Sequence, residues 1–234
     1  MGQGTENVTR GRVAVIGAGG TGCGLLPLLG GLPLTAITVI DGDTVEEKNL
    51  PRQLLYTMAD VGHPKVEVAA GRMRMMAAGV TWRTEHCFVD AANCAALITG
   101  CDLVADCTDD LAARALIERT CRALGVPLVS GAVHGHQVQV ITCHGVVHRE
   151  RRGTFFQGRV TEEQLGCDMR DVPAAVTTLA ASLMALRIAD LLKGGDGLAG
   201  VMDLVDSQHG RWMRIMGPEA GEFMDTPIDP QHYA

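Results

Sequence analysis

A glycine-rich turn near the start of the chain has the residue types and spacing of a nucleotide-binding site. The apolar run at residues 13–16 leads directly into Gly17, Gly19 and Gly22, which read G-x-G-x-x-G. This order is typical of a buried strand, a tight turn and a helix whose N terminus holds phosphate. Gly17 permits the turn, Gly19 lets the backbone approach phosphate, and Gly22 lets the helix lie close to the strand.

A second apolar run, at residues 36–40, ends in Asp41. An acid that follows the second strand of such a unit can accept hydrogen bonds from the hydroxyls of a ribose. The first part of the chain therefore predicts a nucleotide site.

Three further polar clusters have residue types suited to the same site. Residues 41–53 read DGDTVEEKNLPRQ, which is unusually polar for a link between a strand and a helix. Lys65 follows Pro64 at the entry of a predicted helix. Residues 106–110 read DCTDD after the apolar run 103–105, and acids at the carboxyl end of a parallel strand face the crevice where such sheets bind ligands.

The elements that must position these clusters alternate as in an α/β protein. Strands are predicted at 13–16, 36–40, 81–85, 103–105, 126–131, 137–142, 201–205 and 211–216, and helices at 22–29, 65–78, 91–99, 111–124 and 174–192. The strand at 137–142 is expected to be antiparallel. We therefore predict a Rossmann-like α/β fold, with a mixed, mainly parallel sheet flanked by helices and the nucleotide at the carboxyl ends of the first strands.

The charge and composition of the chain exclude several classes of function. A formal net charge of −7 argues against a nucleic-acid partner. Residues 13–40 carry no charge, but their glycines and prolines fit a β-α-β unit better than a membrane segment. The N-terminal residues contain no apolar stretch typical of a secretory signal, so we expect a cytoplasmic protein whose eight cysteines are reduced.

Together these motifs resemble the ThiF/MoeB/HesA family, whose members adenylate the C-terminal glycine of small ubiquitin-like sulfur-carrier proteins. The matching stretches are GAGGTG at 17–22, DGDTVEEKNLPRQ at 41–53, GHPK at 62–65 and DCTD at 106–109, in the family's order. The likeness covers roughly residues 10–216, and the second stretch is its most specific part.

The resemblance implies ATP and Mg²⁺ as cofactors. Attack of a carboxylate on the α-phosphorus builds charge on phosphate oxygens, so it requires fixed cations and a magnesium ion. By the resemblance, Asp41 holds the ribose, Asn49, Arg52 and Lys65 hold the triphosphate, Asp109 holds magnesium, and Gln53 supports them. The expected nucleotide-binding set is completed by Gly17, Gly19, Gly20, Gly22 and Asp43. Arg52, Lys65 and Asp109 are the predicted catalytic residues.

Cys167 stands where some relatives have a cysteine that reacts with the carrier. We therefore name it as a candidate for a later sulfur or acyl transfer, while a free loop cysteine remains an equal alternative. Many relatives also hold a structural zinc with two CxxC pairs. This chain has TFFQ at 154–157 and no cysteine after Arg214, so we predict no structural zinc.

The resemblance further implies a single adenylation domain over residues 1–234. Its nucleotide-binding half spans about 10–130. The second half, at about 131–216, contains a crossover loop and is expected to bind the carrier and form the dimer. An irregular tail spans 217–234. The expected partner is a ubiquitin-like, β-grasp sulfur carrier that ends in Gly-Gly. The helix at 174–192 is apolar nearly all round, which favours a homodimer.

Other interpretations stay open at this point. An NAD(P)-dependent oxidoreductase would use the glycine turn and Asp41 equally well, but it leaves Arg52, Lys65 and Asp109 without a task. A non-catalytic protein of the same fold would bind a carrier without turnover. Taken singly, Arg52 and Lys65 are also compatible with surface cations and Asp109 with a helix cap. The carrier and its pathway, whether thiamine, molybdenum cofactor, cysteine or another, are not specified.

Overall fold

The computed structural model describes residues 11–144 and 172–217. The described strands are β1 (Gly11–Ile16), β2 (Leu34–Ile40), β3 (Thr81–Glu85), β4 (Leu103–Asp106), β5 (Leu128–His134), β6 (Gln137–Cys143), β7 (Val201–Asp206) and β8 (Arg211–Met216). The described α-helices are α1 (Gly20–Gly30), α2 (Lys65–Met76), α3 (Cys94–Ile98), α4 (Leu111–Leu124) and α5 (Ala174–Leu192). One sheet joins all these strands in the order β3-β2-β1-β4-β5-β6-β7-β8.

The sheet has a parallel half and an antiparallel half. Strands β3, β2, β1, β4 and β5 pair in parallel, whereas β6, β7 and β8 add antiparallel pairs. This arrangement confirms the predicted mixed, mainly parallel α/β fold, including the antiparallel strand at 137–142. Because β2 and β4 lie on either side of β1, the chain reverses its winding there, and ligands of such sheets bind at this point.

Helices cover both faces of the parallel half, which explains why β1 carries no polar side chain at its centre. Val13 and Val15 join the apolar core that contains α1, α2 and α5, while Ala14 and Ile16 join the core that contains α3 and α4. A strand buried on both faces needs an unbroken apolar run rather than an alternating one.

The glycine turn connects β1 to α1 as the spacing predicts. Gly17 has φ of +96°, and a Cβ there would lie 2.8 Å from the backbone of Cys107. A Cβ on Gly22 would lie 2.1 Å from the carbonyl oxygen of Gly17. Only glycine fits at either position, so the tight turn and the close helix are both confirmed.

Helix α5 packs against α1 through small residues. Cβ atoms added at Gly20 and Gly24 would lie 2.8 Å from Thr177 and 3.0 Å from Ala181. By length and composition, α5 is the one helix of the described residues that is apolar enough to cross a membrane, but half of it is buried inside the protein. Its apolar character therefore reflects core packing along the face that meets α1 and the sheet.

Several element boundaries differ from the sequence prediction. Helix α1 begins two residues earlier than expected, at Gly20, because the turn completes within residues 17–19. Helix α3 is confined to Cys94–Ile98, since Asp90 and Asn93 form a hydrogen-bonded turn before it. Residues 145–171 of the predicted crossover region and the predicted tail beyond residue 217 lie outside the described residues.

Candidate functional site

A cleft of about 890 Å³ opens at the carboxyl ends of β1, β2 and β4. Among its lining residues are nearly all those predicted for the nucleotide site: Gly17, Gly19, Gly20, Asp41, Asp43, Asn49, Arg52, Gln53, Lys65 and Asp109. Gly22 lies beneath the turn instead, against the carbonyl of Gly17. Cys167 lies outside the described residues. The fold thus collects polar clusters that are distant in sequence around one cavity.

The N terminus of α1 points its unpaired backbone groups toward this cleft. Gly19 is the N-cap residue, and no side chain from the described part of the chain caps the helix. The first N–H groups of an uncapped helix need an outside acceptor, and the helix dipole favours an anion there. This end of the cleft therefore has the properties of a phosphate site.

Asp41 ties the end of β2 to the glycine turn. Its carboxylate accepts hydrogen bonds from the backbone N–H of Ala18, at 2.7 Å, and of Asp43, at 2.8 Å. Burial raises the pKa of Asp41 above its ordinary value, although Lys65 and these two N–H groups oppose the shift. Fixed in this way at the cleft wall, the carboxylate keeps free lone pairs for a hydroxyl-bearing ligand.

Lys65 is a buried cation rather than a surface one. Its side chain is 4% exposed, and its ammonium donates to Asp43 Oδ2 at 2.7 Å. The backbone fixes this pair, because the N–H of Lys65 donates to the carbonyl of Asp43 and the N–H of Val45 to that of His63. A desolvated charge next to a cleft interacts strongly with an anion that enters it.

Arg52 is oriented by its neighbours in the 41–53 segment. Its Nη2 donates to Asn49 Oδ1 at 2.8 Å, and Asn49 Nδ2 donates to Glu46 Oε2 at 3.1 Å. Gln53 is buried beside Gly19, and its Oε1 has no hydrogen-bond partner among the described residues. Buried polar atoms without a partner are uncommon in folded proteins and point to a ligand or a water.

Asp109 lines the cleft, whereas its neighbour Asp110 caps a helix. The Asp110 carboxylate accepts from the N–H of Ala113 at 2.7 Å at the start of α4. The alternative interpretation of Asp109 as the helix cap is therefore wrong. Its carboxylate makes no hydrogen bond or ion pair with the residues that the structure describes, and it remains available to the cleft.

Asp106 does not face the crevice, contrary to the expectation for an acid at this strand end. It is fully buried, and its carboxylate accepts from Ser130 Oγ at 2.6 Å and from Thr108 Oγ1 at 2.7 Å. Arg114 Nη2 donates to Ser130 Oγ at 2.6 Å, and Arg114 Nε lies 3.5 Å from Asp106. The cluster fixes the loop that carries Asp109, so Asp106 positions the site rather than lining it.

Two aromatic residues at the site were not predicted from the sequence: Phe88 lines the cleft, and Tyr56 lies beneath the glycine turn. The ring of Phe88 lies on Gly42, where an added Cβ would be 2.6 Å from the ring, and the side chain is 67% exposed. Tyr56 donates its hydroxyl to the carbonyl of Ala18 at 2.9 Å and braces the turn from below. With aromatic residues at only 3% of the chain, a phenylalanine three residues after a predicted strand was a signal available in the sequence.

The cysteine and metal predictions concern residues on both sides of the limits of the described ranges. Cys107 is buried, and burial raises the pKa of its thiol well above the ordinary value, as befits a packing residue. Across residues 11–144 and 172–217, no three His, Cys, Asp or Glu side chains could hold a metal together. Residues 154–157, which bear on the zinc prediction, are outside these ranges.

Comparison with known proteins identifies the family. The ThiF family model matches residues 2–220. The molybdopterin-synthase adenylyltransferase of Escherichia coli is 34% identical over 87% of this chain and 82% of its own length. The sulfur carrier protein adenylyltransferase of Thermus thermophilus is 31% identical over 91% of this chain and 81% of its own length. The chain belongs to the ThiF family, which confirms the resemblance.

Other comparisons concern length and fold. The chain spans about half the length of several further curated relatives that it matches. The crystal structure of E. coli MccB with ATP superposes with a TM-score of 0.76 at 15% identity, over 92% of this chain and 66% of that chain. At this identity the superposition supports the fold alone.

Proposed function

We propose that this protein is an ATP-dependent adenylyltransferase that activates the C-terminal glycine carboxylate of a β-grasp sulfur-carrier protein. One observation carries the proposal. Arg52, Lys65 and Asp109 come from three separate segments, and all line the cleft at the uncapped N terminus of α1. The names of the E. coli and Thermus relatives, both adenylyltransferases, support it.

The reaction needs charge stabilisation more than acid–base chemistry. A carboxylate oxygen forms a bond to the α-phosphorus of ATP, the bond from that phosphorus to the bridging oxygen breaks, and pyrophosphate leaves with the electron pair. No proton has to move. Arg52, Lys65 and the N–H groups at the start of α1 supply fixed positive charge where phosphate oxygens gain negative charge.

Asp43 and Asn49 act on the two cations rather than on the phosphorus. Asp43 holds the Lys65 ammonium, and Asn49 holds the Arg52 guanidinium. Such partners restrict side-chain freedom before the substrate binds, so less ordering remains to be done in the transition state. Asp41, at the same wall, would accept the ribose hydroxyls.

Asp109 is the residue that would hold Mg²⁺. The fit rests on its position at the cleft and on its carboxylate, which has no partner among the described residues. Magnesium in nucleotide sites is commonly bound by one or two carboxylates together with substrate phosphates, so a three-residue cluster is not required. When bound, the ion neutralises charge on the phosphates.

The remaining parts of the proposal concern assembly. We propose a homodimer, because Leu186 on α5 and Trp212 and Met216 on β8 expose 68%, 55% and 55% of their areas. Trp212 and Met216 lie four residues apart on the edge strand β8 and therefore on one face of it. Exposed apolar side chains on one face favour protein contacts. A cytoplasmic location, without nucleic-acid or membrane partners, and the single-domain division of residues 1–234 remain predictions.

Competing functions receive less support. Hydride transfer to NAD(P) gives the buried Lys65 and the cleft-facing Asp109 no task, and the ThiF match supports adenylation. A carrier-binding protein without turnover would not need a desolvated lysine held ready by Asp43. Cys167 keeps its proposed later role, which adenylation does not require.

ATP–pyrophosphate exchange with β-grasp carriers ending in Gly-Gly tests the proposal. We expect Lys65→Ala to lower the exchange rate by about a hundredfold or more, since it removes a preorganised charge from the transition state. The matched control is Lys48→Ala, because Lys48 is exposed and pairs with Glu46 alone among the described residues. Absence of exchange with every such carrier, or equal losses in both variants, would show that the function is wrongly assigned.

A further inference from the structure

The cleft continues past the glycine turn as a groove along α4. Ala112, Leu116 and Arg119 line it, and their spacing puts them on one face of the helix. Residues 131–134, at the end of β5, form the opposite wall. We call this extension the α4 groove.

The length of the α4 groove suits a short extended peptide. From Ala112 to Arg119 the helix rises about 10 Å, at 1.5 Å per residue. An extended chain covers about 3.3 Å per residue, so the distance corresponds to about three residues. Small side chains, Ala112 and Ala132, leave room for a backbone near the nucleotide end.

Charge divides the cleft into two ends. The lining acids Asp41, Asp43, Asp109 and Asp110 all belong to the nucleotide end, whereas Arg119 is at the far end of the groove. Arg119 is exposed and forms no ion pair with any residue in the described ranges.

The acid next to Arg119 in sequence is turned away from the groove. Glu118 is 1% exposed, and its Oε1 lies 2.9 Å from His144 Nε2 in the core beneath α4. Glu118 is therefore engaged elsewhere and does not neutralise the Arg119 guanidinium. The far end of the groove keeps its positive charge.

We propose that Arg119 selects carrier proteins that have an acidic residue at the fourth position from their C terminus. The inference rests on the proposed function, because it takes the terminal glycine to lie at the α-phosphate. A Gly-Gly terminus offers no side chains for recognition, so discrimination falls on the residues behind it. The first of these within reach of Arg119 lies about three residues upstream, where a carboxylate would pair with the guanidinium.

The test uses full-length enzyme and one carrier made in three forms. A β-grasp carrier that ends in Gly-Gly and supports pyrophosphate exchange is remade with Glu, Gln or Arg at the fourth position from its end. For the wild-type enzyme we expect kcat/KM to be about tenfold higher with Glu than with Arg, mainly through KM, because the pair is solvent-accessible. Arg119→Glu should reverse this preference.

Arg122→Glu is the matched control, since it makes the same charge change on an exposed position of α4 that does not line the groove. It should keep the wild-type order of carriers. Exchange that occurs with an order unaffected by Arg119→Glu, or changed equally by Arg122→Glu, would overturn this inference alone. Failure of every Gly-Gly carrier to support exchange would overturn the proposed function and this inference with it.

Discussion

Two buried ion pairs join a helix to the sheet, one in each half of the molecule. In the parallel half, Arg114 of α4 meets Asp106 of β4, with Ser130 of β5 bridging them. In the antiparallel half, Arg187 of α5 donates to Asp203 of β7 at 2.6 Å. Each pair consists of an arginine and an aspartate that are almost fully buried. Removing either residue of a pair leaves the other as an uncompensated buried charge.

The surroundings of the two pairs differ. The Asp106 carboxylate also accepts from the N–H and hydroxyl of Thr108, and the adjacent Cys107 backbone lies against Gly17. The Asp203 pair is extended by Arg214, and none of its residues lines the cleft. The ion pair of the parallel half therefore supports the cleft as well as the fold, whereas the ion pair of the antiparallel half supports the fold alone.

The comparison is tested most strongly by Asp106→Ala. Removing this carboxylate leaves Arg114 buried and releases the turn at Thr108, so we expect the free energy of unfolding to fall by about 3 to 5 kcal/mol. The protein that remains folded should also lose at least tenfold in pyrophosphate exchange, because Asp109 is no longer held at the cleft. Denaturant unfolding and exchange on the same preparation measure both effects.

Ser130→Ala should destabilise the same cluster less than Asp106→Ala does. It removes only the bridging hydroxyl, and we expect a loss of about 1 to 2 kcal/mol. Full exchange activity in folded Asp106→Ala protein would contradict the coupling of this cluster to the site.

Asp203→Ala should affect stability alone. We expect a loss of about 3 kcal/mol, at the lower end for a buried pair, because Arg187 keeps Thr142 Oγ1 and the carbonyl of Val201 as acceptors. Arg214→Ala, which removes the half-exposed partner, should cost about 1 kcal/mol or less. A changed kcat or KM for ATP in folded Asp203→Ala protein would contradict the claim that the antiparallel half affects only stability.

The pH dependence of the Asp203→Ala effect sharpens this prediction. Burial alone would raise the pKa of Asp203, but hydrogen bonds from Arg214 and Arg187 hold it below the ordinary value of 3.8. The ionised carboxylate thus stabilises the fold above about pH 4, and the contribution is lost as the pH falls through the lower folded-state pKa. The stability difference between wild type and variant should therefore be constant near neutrality and shrink below about pH 4.

The smallest expected effect concerns Phe88 at the cleft. In Gly42→Ala the new Cβ would meet the Phe88 ring, and the ring must move. Because Phe88 lines the nucleotide cleft, we expect KM for ATP to rise about fivefold with little change in kcat, equivalent to about 1 kcal/mol of aromatic contact.

Gly71→Ala is the control for this substitution. Gly71 lies within α2, and a Cβ there would meet no atom of residues 11–144 or 172–217 within 4 Å. The control should leave KM for ATP unchanged and raise stability by about 0.5 to 1 kcal/mol. Equal KM values for both glycine variants would remove Phe88 from the nucleotide site.

The sequence determined the parts of this protein that depend on local periodicity and backbone sterics. The uncharged run of β1, the glycine spacing and the acid after β2 predicted the β-α-β unit, because strand burial and the turn are encoded within a few residues. The motif at 41–53 also predicted the family correctly. Arg52, Lys65 and Asp109 were named from the same linear patterns.

Only the tertiary structure decided how neighbouring residues divide their tasks. Asp109 and Asp110 are equivalent in a linear reading, yet the direction of α4 makes one a cap and leaves the other at the cleft. Asp106 is held in the core by a hydrogen bond from Ser130 and an ion pair with Arg114, which lie 24 and 8 residues further along the sequence. Hydrogen bonds and burial of this kind depend on long-range pairing of β4 with β5 and on the packing of α4, which no local pattern contains.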